Sequence, residues 1–317
     1  MSSPKNSILL GDIGGTKARF ALLGPQSKVL SEIRIYQSRN FSSFEDLLKA
    51  YFEDIQGEIK PKYALFALAG PVIKNKATLT NLHWTIKTEE LKKKFTFEKV
   101  YLMNDLQALS ASLPCLKEGD ILTLKKVRPI KRYPKVFMAL GTGLGISLLL
   151  STKPLLMLPS EGGHTPFGAL DAEEKGFIEY LKERNREITW EEALSGRGLT
   201  HWYEYLYHER LDPEEITALA REGDLKAKRV IEKIFKLLGR KCYEVAVTFE
   251  PFGGIYLAGG VSLALATFWP EMSNSFFKGY NYSSRLQALI EAIPLHIVLH
   301  PYPGLLGAQT IAHTLLK

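Results

Sequence analysis

The sequence predicts an α/β protein made of two related halves, each with a mixed sheet entered through a glycine-rich hairpin. Three observations predict it. The run Ser7-Ile8-Leu9-Leu10-Gly11-Asp12-Ile13-Gly14-Gly15-Thr16-Lys17-Ala18-Arg19-Phe20-Ala21-Leu22-Leu23 reads as an apolar strand, an acidic-then-glycine turn and an apolar strand running back. The pattern returns later as KVFMAL, Gly141-Thr142-Gly143-Leu144-Gly145 and ISLLL, so that Gly15-Thr16 falls on Gly141-Thr142. A further strand follows each unit, at residues 29–35 and 155–158, and the rest of the chain alternates short apolar strands with stretches of helical spacing. Chance similarity of two apolar hairpins is the alternative to duplication.

In chain order, residues 43–55 carry Phe44, Leu47, Leu48, Tyr51 and Phe52 at helical spacing. Tyr63–Leu68 is a short buried strand ending in Ala69-Gly70-Pro71, residues 89–94 a short helix, and residues 100–103 a strand. That strand runs straight into Asn104-Asp105 and the helix-like LQALSASL. The second glycine unit follows a loop that opens near residue 113. Asp171 is placed to cap a helix over 171–185, with Glu174 three residues on. Thr189-Trp190-Glu191-Glu192 has the same capping spacing, which gives Glu192 a structural task and leaves Glu191 free. Asp212-Pro213 opens another helix with proline at its first position. Leu225–Phe249 is a long helical pattern, and Ile255–Ala258 is a buried strand before Gly259-Gly260 and the helix-like VSLALATF. A last helix follows Pro303-Gly304.

A length of 317 residues suits two domains, and 45% apolar with 24% charged residues is ordinary for a folded protein. No stretch approaches a membrane span and MSSPKNS lacks the apolar core of a signal peptide, so a cytoplasmic protein without membrane partners is expected. Cys115 and Cys242 cannot form a zinc cluster by themselves and point to a reducing compartment. The net charge of +7 fits anionic ligands such as nucleotides, or simply a basic surface. The basic runs EELKKKF and LKKVRPIKRYPK carry no interleaved stacking aromatics, so nucleic acid is not expected as a partner.

Paired glycines let the backbone approach a ligand closely and present N–H groups to an anion. Asp12, at the end of the first strand, can hold a metal ion or its waters beside that anion; the alternative is a plain tight turn with Asp12 at its polar edge. A dinucleotide fold needs a helix directly after the glycines at 141–145, where a strand stands instead, and no P-loop motif occurs. Asn104-Asp105 stands at the mouth of a strand, where open α/β sheets bind ligands. An aspartate there can take the proton of an attacking hydroxyl or cap the helix. Glycines in Glu161-Gly162-Gly163-His164 let Glu161 and His164 converge on one ligand. Asp105, Glu161 and Glu191 form a set suited to sugar hydroxyls, or, with an adjacent histidine, to a metal.

GDIGGTKAR, LTNLHW, MNDLQA, LGTGLG, EGGH, ALSGRGL, LAGG and PGLLGA occur in the order and spacing of the bacterial glucokinase family, which the chain resembles over essentially its whole length. The resemblance implies two actin-like (ribonuclease H-like) ATPase domains of α/β structure flanking a cleft. The small domain would comprise 1–112 plus 302–317 and the large one 113–301. It further implies ATP-dependent phosphorylation of glucose with Mg²⁺, in a homodimer. By motif position, Asn81, Asn104, Asp105, Glu161, His164 and Glu191 would contact the sugar, with Asp105 as general base. Asp12, Gly14, Gly15, Thr16, Gly141, Thr142, Gly259 and Gly260 would surround ATP, with Asp12 on the magnesium through water. Two departures stand out. Lys17 replaces the family's common asparagine, as in the related ROK sugar kinases and repressors, whose zinc-binding cysteine cluster this chain lacks. Glu191-Glu192-Ala193 stands where relatives often carry Glu-Arg, and both capping and motif position favour Glu191 as the sugar ligand. The alternatives are a kinase for another hexose or amino-hexose, a sugar-sensing regulator, and an assembly or chaperone ATPase. A regulator would need a DNA-reading motif, which the few residues ahead of the first strand do not supply.

Overall fold

Strand β1 (Ile8–Ile13) pairs antiparallel with β2 (Lys17–Leu23), which pairs with β3 (Leu30–Gln37); β4 (Tyr63–Leu68) lies parallel to β1 on its other side. The computed structural model behind this description covers residues 7–315 except Gln26, residues 57–59 and Thr80. β1 opens with the apolar run Ile8–Leu10 because both of its faces are covered. Leu9 and Ile13 join Phe20 and Phe66 against the helix Phe44–Asp54, while Ile8 and Leu10 join Ala21 and Leu65 against the helix Pro303–Leu315. The small strands β5 (Val72–Ile73), β6 (Lys76–Leu79) and β7 (Trp84–Lys87) form a separate sheet. β8 (Lys99–Asn104) then closes the main sheet beside β4, giving the order β3-β2-β1-β4-β8.

The second sheet comprises β9 (Ile121–Lys125), β10 (Lys135–Leu140), β11 (Leu144–Thr152), β12 (Leu155–Ser160), β13 (Ile255–Ala258) and β14 (Leu295–Val298). Its order is β12-β11-β10-β13-β14-β9. Strand for strand, β12-β11-β10-β13-β14 repeats β3-β2-β1-β4-β8, including the antiparallel hairpin and the parallel neighbour on its far side. Duplication is therefore a property of the connectivity, beyond two similar hairpins.

The chain divides into two compact units. One runs to Lys117 and includes Ser151–Pro159 and the chain from His300; the other is Glu118–Leu150 with Ser160–Leu299. The second unit is built on the helix Leu225–Phe249, capped by Asp224 on the Ala227 N–H at 2.7 Å. It packs backbone to backbone on the helix Trp269–Tyr280, because a Cβ at Gly239 or Gly279 would overlap the facing main chain. No helix among the described residues is long and apolar enough to cross a membrane.

Two capping expectations need correction. Asp171 accepts from the Glu174 N–H at 2.8 Å and Thr189 from the Glu192 N–H at 3.4 Å, so both residues cap as expected. The glutamate of each box faces elsewhere, however. Glu174 accepts from the Leu170 N–H and Arg240, and Glu192 enters a cationic cluster, because a buried carboxylate is held more strongly by guanidinium than by a cap amide. The complete box forms at Asp212, whose N–H donates to Glu215 at 2.8 Å.

Candidate functional site

In the first unit, sheet register brings the carboxyl ends of β1, β4 and β8 together. Ile13 lies opposite Leu68, and Leu68 opposite Asn104. Asp12 faces Arg19 across the hairpin, and Arg19 Nη1 donates to Asp12 Oδ2 at 3.2 Å. Burial pushes the Asp12 carboxyl above the usual carboxylate range, and the Arg19 guanidinium pulls against that shift. The turn after β1 is stapled from outside. Gly14 N–H donates to the Lys17 carbonyl at 3.0 Å, and fully buried Ser38 donates its N–H to the Thr16 carbonyl at 2.9 Å and its hydroxyl to the Gly14 carbonyl at 2.8 Å. The Asn81 side chain lies against Gly15, where a Cβ would sit 3.6 Å from it.

Asn104 ends β8 and caps the helix Asp105–Ala111, its Oδ1 accepting from the Leu106 N–H at 3.0 Å while its Nδ2 donates to the Gly70 carbonyl at 3.2 Å. Asp105 Oδ1 shares the Leu106 N–H at 2.9 Å. The capping task thus falls on Asn104 as well as Asp105. Lys17 is exposed at the start of β2.

In the second unit, three segments meet at Leu144, the first residue of β11. Its N–H donates to Glu191 Oε2 at 2.9 Å. Its carbonyl lies against Gly163, where any Cβ would overlap it, so the turn Gly162–His164 sits directly on the strand. The third segment is the glycine turn itself, closed by the Gly141 N–H on the Gly143 carbonyl at 2.9 Å. Glu161, His164, Glu191, Gly141 and Thr142 therefore belong to one neighbourhood. Pairing of Thr165 and Phe167 with Trp190 and Ile188, through bonds of 3.0 Å each, holds the two loops together.

Gly259 adopts φ +92° with its Cα against the Leu140 carbonyl, a combination only glycine accepts. Gly141 and Gly260 differ. Neither has a positive φ, and a Cβ at either would meet nothing within 4 Å. Packing does not ask for glycine at those two positions, and both leave open space beside the main chain.

Glu191 is not free, contrary to the capping expectation. One oxygen takes the Leu144 N–H and the other takes Arg197. Glu192 points into the unit, only 7% exposed, with Arg186, Arg197 and His201 at 3.7, 3.3 and 3.4 Å. Burial pushes the His201 imidazole down to about 4, against the upward pull of its bond to the Glu192 carbonyl. Among the described residues no three His, Cys, Asp or Glu side chains gather as a metal cluster. Sequence reasoning missed Arg19, Ser38 and Arg197. The first was open to it, since a two-strand register places Arg19 opposite Asp12; nothing local ties Ser38 to Gly14 or Arg197 to Glu191.

A twofold-repeated sheet with glycine hairpins and acidic strand ends defines the actin-like ATPase fold of the sugar kinases. The Glucokinase family model matches residues 9–315. The chain belongs to the glucokinase family. A glucokinase of Photorhabdus laumondii is 31% identical over 310 residues, covering 95% of each chain. Among solved structures, a glucokinase from an Antarctic psychrotroph is similar at TM-score 0.79 and 25% identity, over 98% of this chain and 99% of that one. The fold is equally that of a Balamuthia mandrillaris glucokinase in complex with glucose, at TM-score 0.82 and 24% identity over 96% and 93% of the two chains.

Proposed function

We propose that Asp105 is the general base of this enzyme and that Asn81, Asn104, Glu161, His164 and Glu191 hold the sugar. The reaction is that of the glucokinase family, ATP-dependent phosphorylation of glucose to glucose 6-phosphate. The observation that carries the site reading is the meeting at Leu144 of Glu191, the Glu161–His164 turn and the glycine turn of β10 and β11. A set of hydroxyl-binding side chains built onto a phosphate-binding turn is what a sugar kinase requires. Phosphoryl transfer needs mostly positioning and neutralisation of developing charge. Asp105, at the edge of the first sheet, takes the proton of the 6-hydroxyl as the bond to the γ-phosphorus forms and the bond to the β–γ bridging oxygen breaks. Backbone N–H groups at Gly15, Thr16, Thr142, Gly259 and Gly260 hold phosphate oxygens, while Gly14 and Gly141, whose N–H groups close their own turns, let the phosphates come close; the open space at Gly141 and Gly260 supports that role.

Asp12 fits a magnesium ion. Its buried carboxyl, shifted upward by desolvation, gains from a second cation, and a single carboxylate suits an ion held chiefly by phosphates and water. Bound there, Mg²⁺ neutralises charge on the phosphate oxygens. We also propose the functional division into a small domain (1–112 with 302–317) and a large one (113–301), a homodimer, and a cytoplasmic location. The free thiols Cys115 and Cys242 support a reducing compartment.

The test is sugar-dependent ADP formation with ATP across glucose, galactose, mannose, glucosamine and fructose. Glucose is expected to exceed galactose clearly in kcat/KM, because an inverted hydroxyl leaves buried polar groups unpaired. Equal efficiency on the two would remove the glucose reading; no sugar-dependent turnover at all would remove the kinase.

A further inference from the structure

We propose that Arg197 and Gly143 are positioning residues that make the Glu191 carboxylate a strut between the sugar and the glycine turn Gly141–Gly143, so that sugar binding orders the turn that receives ATP. The inference rests on reading Glu191 as a sugar ligand. Its first support is how the carboxylate is held. Oε2 accepts from the Leu144 N–H at 2.9 Å, at the residue where the turn becomes β11. Oε1 is held by Arg197, whose other terminal nitrogen lies 3.3 Å from Glu192 Oε1. The guanidinium thus spans two adjacent carboxylates whose like charges would otherwise drive them apart.

The second support is that the clamp is anchored to the same turn. Arg197 lies in the first turn of the helix Gly196–Tyr207, and the Gly196 N–H donates to the Gly141 carbonyl at 2.7 Å. Gly143 therefore sits between two ties, Gly141 to Gly196 on one side and Leu144 to Glu191 on the other.

The third is Gly143 itself. Its φ is not positive, so its backbone conformation is open to any residue, yet a Cβ there would overlap the Glu191 carboxylate. Glycine at this position is explained by Glu191, in contrast to Gly141, around which space is open. With one lone pair of each oxygen engaged, the carboxylate retains acceptor capacity for a hydroxyl. A hydroxyl bound there loads a group bonded directly to one end of the turn at Leu144, and held by Arg197 next to the Gly196 N–H that ties the other end.

The experiment is calorimetric titration of a non-hydrolysable ATP analogue with and without saturating glucose, together with glucose alone, on the unaltered enzyme, Glu191→Gln, Arg197→Gln, Arg197→Lys and Gly143→Ala. In the unaltered enzyme glucose should tighten analogue binding severalfold, within the usual range of about 5- to 150-fold for coupled sites. Arg197→Gln and Gly143→Ala should each bring that ratio close to one, and Arg197→Lys should recover part of it by restoring charge without the fork. Gly143→Ala is an independent probe because it leaves every charge in place. A ratio near one in the unaltered enzyme, or a ratio undiminished in both Arg197→Gln and Gly143→Ala, would overturn the strut. Unchanged glucose affinity in Glu191→Gln would instead overturn the reading of Glu191 on which it rests.

Discussion

Asp105→Asn separates the chemistry of the base from the architecture that carries it. Asp105 opens its helix with Oδ1 2.9 Å from the Leu106 N–H, and Asn104 accepts the same N–H at 3.0 Å. Asparagine keeps an oxygen in that place, so the helix start retains both acceptors. The structural loss is one negative charge in the first turn, about 0.3–1 kcal/mol. The chemical loss is a general base, about 10²- to 10⁴-fold in rate, or roughly 2.7–5.5 kcal/mol of barrier at about 1.36 kcal/mol per decade. The two effects differ enough to be read apart. The assay is kcat by coupled ADP detection at saturating glucose and ATP, paired with thermal melting of the same preparation. A fall of two to four decades is expected, with Tm lowered by no more than about 4 °C. Near-unchanged kcat in the folded variant would show that the proton leaves by another route. A large fall in Tm would show that Asp105 serves the helix rather than the hydroxyl.

Four further outcomes are expected. Glu191→Gln should raise the glucose Kd by roughly tenfold or more through loss of a charge-assisted hydrogen bond of about 1.5–3 kcal/mol, while urea unfolding barely changes. Glu192→Gln should do the reverse, costing about 1–3 kcal/mol of stability because a buried carboxylate loses its charge against the Arg186 and Arg197 guanidinium groups; greater harm to glucose binding by Glu192→Gln would exchange the two roles. His201 titrates near 4 in the folded chain against an ordinary value of 6.5, so on acidification the unfolded chain takes up the proton first. Stability is then full above pH 6.5 and declines as pH falls through that window, by up to about 3 kcal/mol; urea midpoints at pH 7 and pH 5 should differ, and the difference should shrink in His201→Gln. Gly304→Ala adds a residue that favours a helix, but its Cβ would overlap the Asp12 carboxylate at 2.6 Å, and that group is tied to Arg19, so stability should fall and the KM for MgATP should rise; an unaltered KM would remove Asp12 from the nucleotide site.

Much of this protein is legible in one dimension because its determinants are local. β1 and β10 read as strands from the apolar runs at 8–10 and 136–140, which follow from burial on both faces, and the glycines after each strand mark the turns. The caps at Asp171 and Thr189 reach only three residues ahead, within the span that a sequence pattern encodes. Family membership is legible for a related reason: each motif is a short turn or strand end whose chemistry depends on adjacent residues. What lies beyond that span was decided by packing. Glu191 meets Leu144 across 47 residues of sequence, and Ser38 staples Gly14 across 24. Glu192 turns inward to Arg186, Arg197 and His201, and leaves its expected capping bond, because buried charges find guanidinium partners wherever the fold supplies them. The two glycines of the second turn look alike in sequence, yet Gly143 is held to glycine by a carboxylate and Gly141 by nothing nearer than 4 Å. Periodicity and capping are written in neighbouring residues and so belong to the sequence; which side chain faces which is set by distances between segments that only the folded chain brings together.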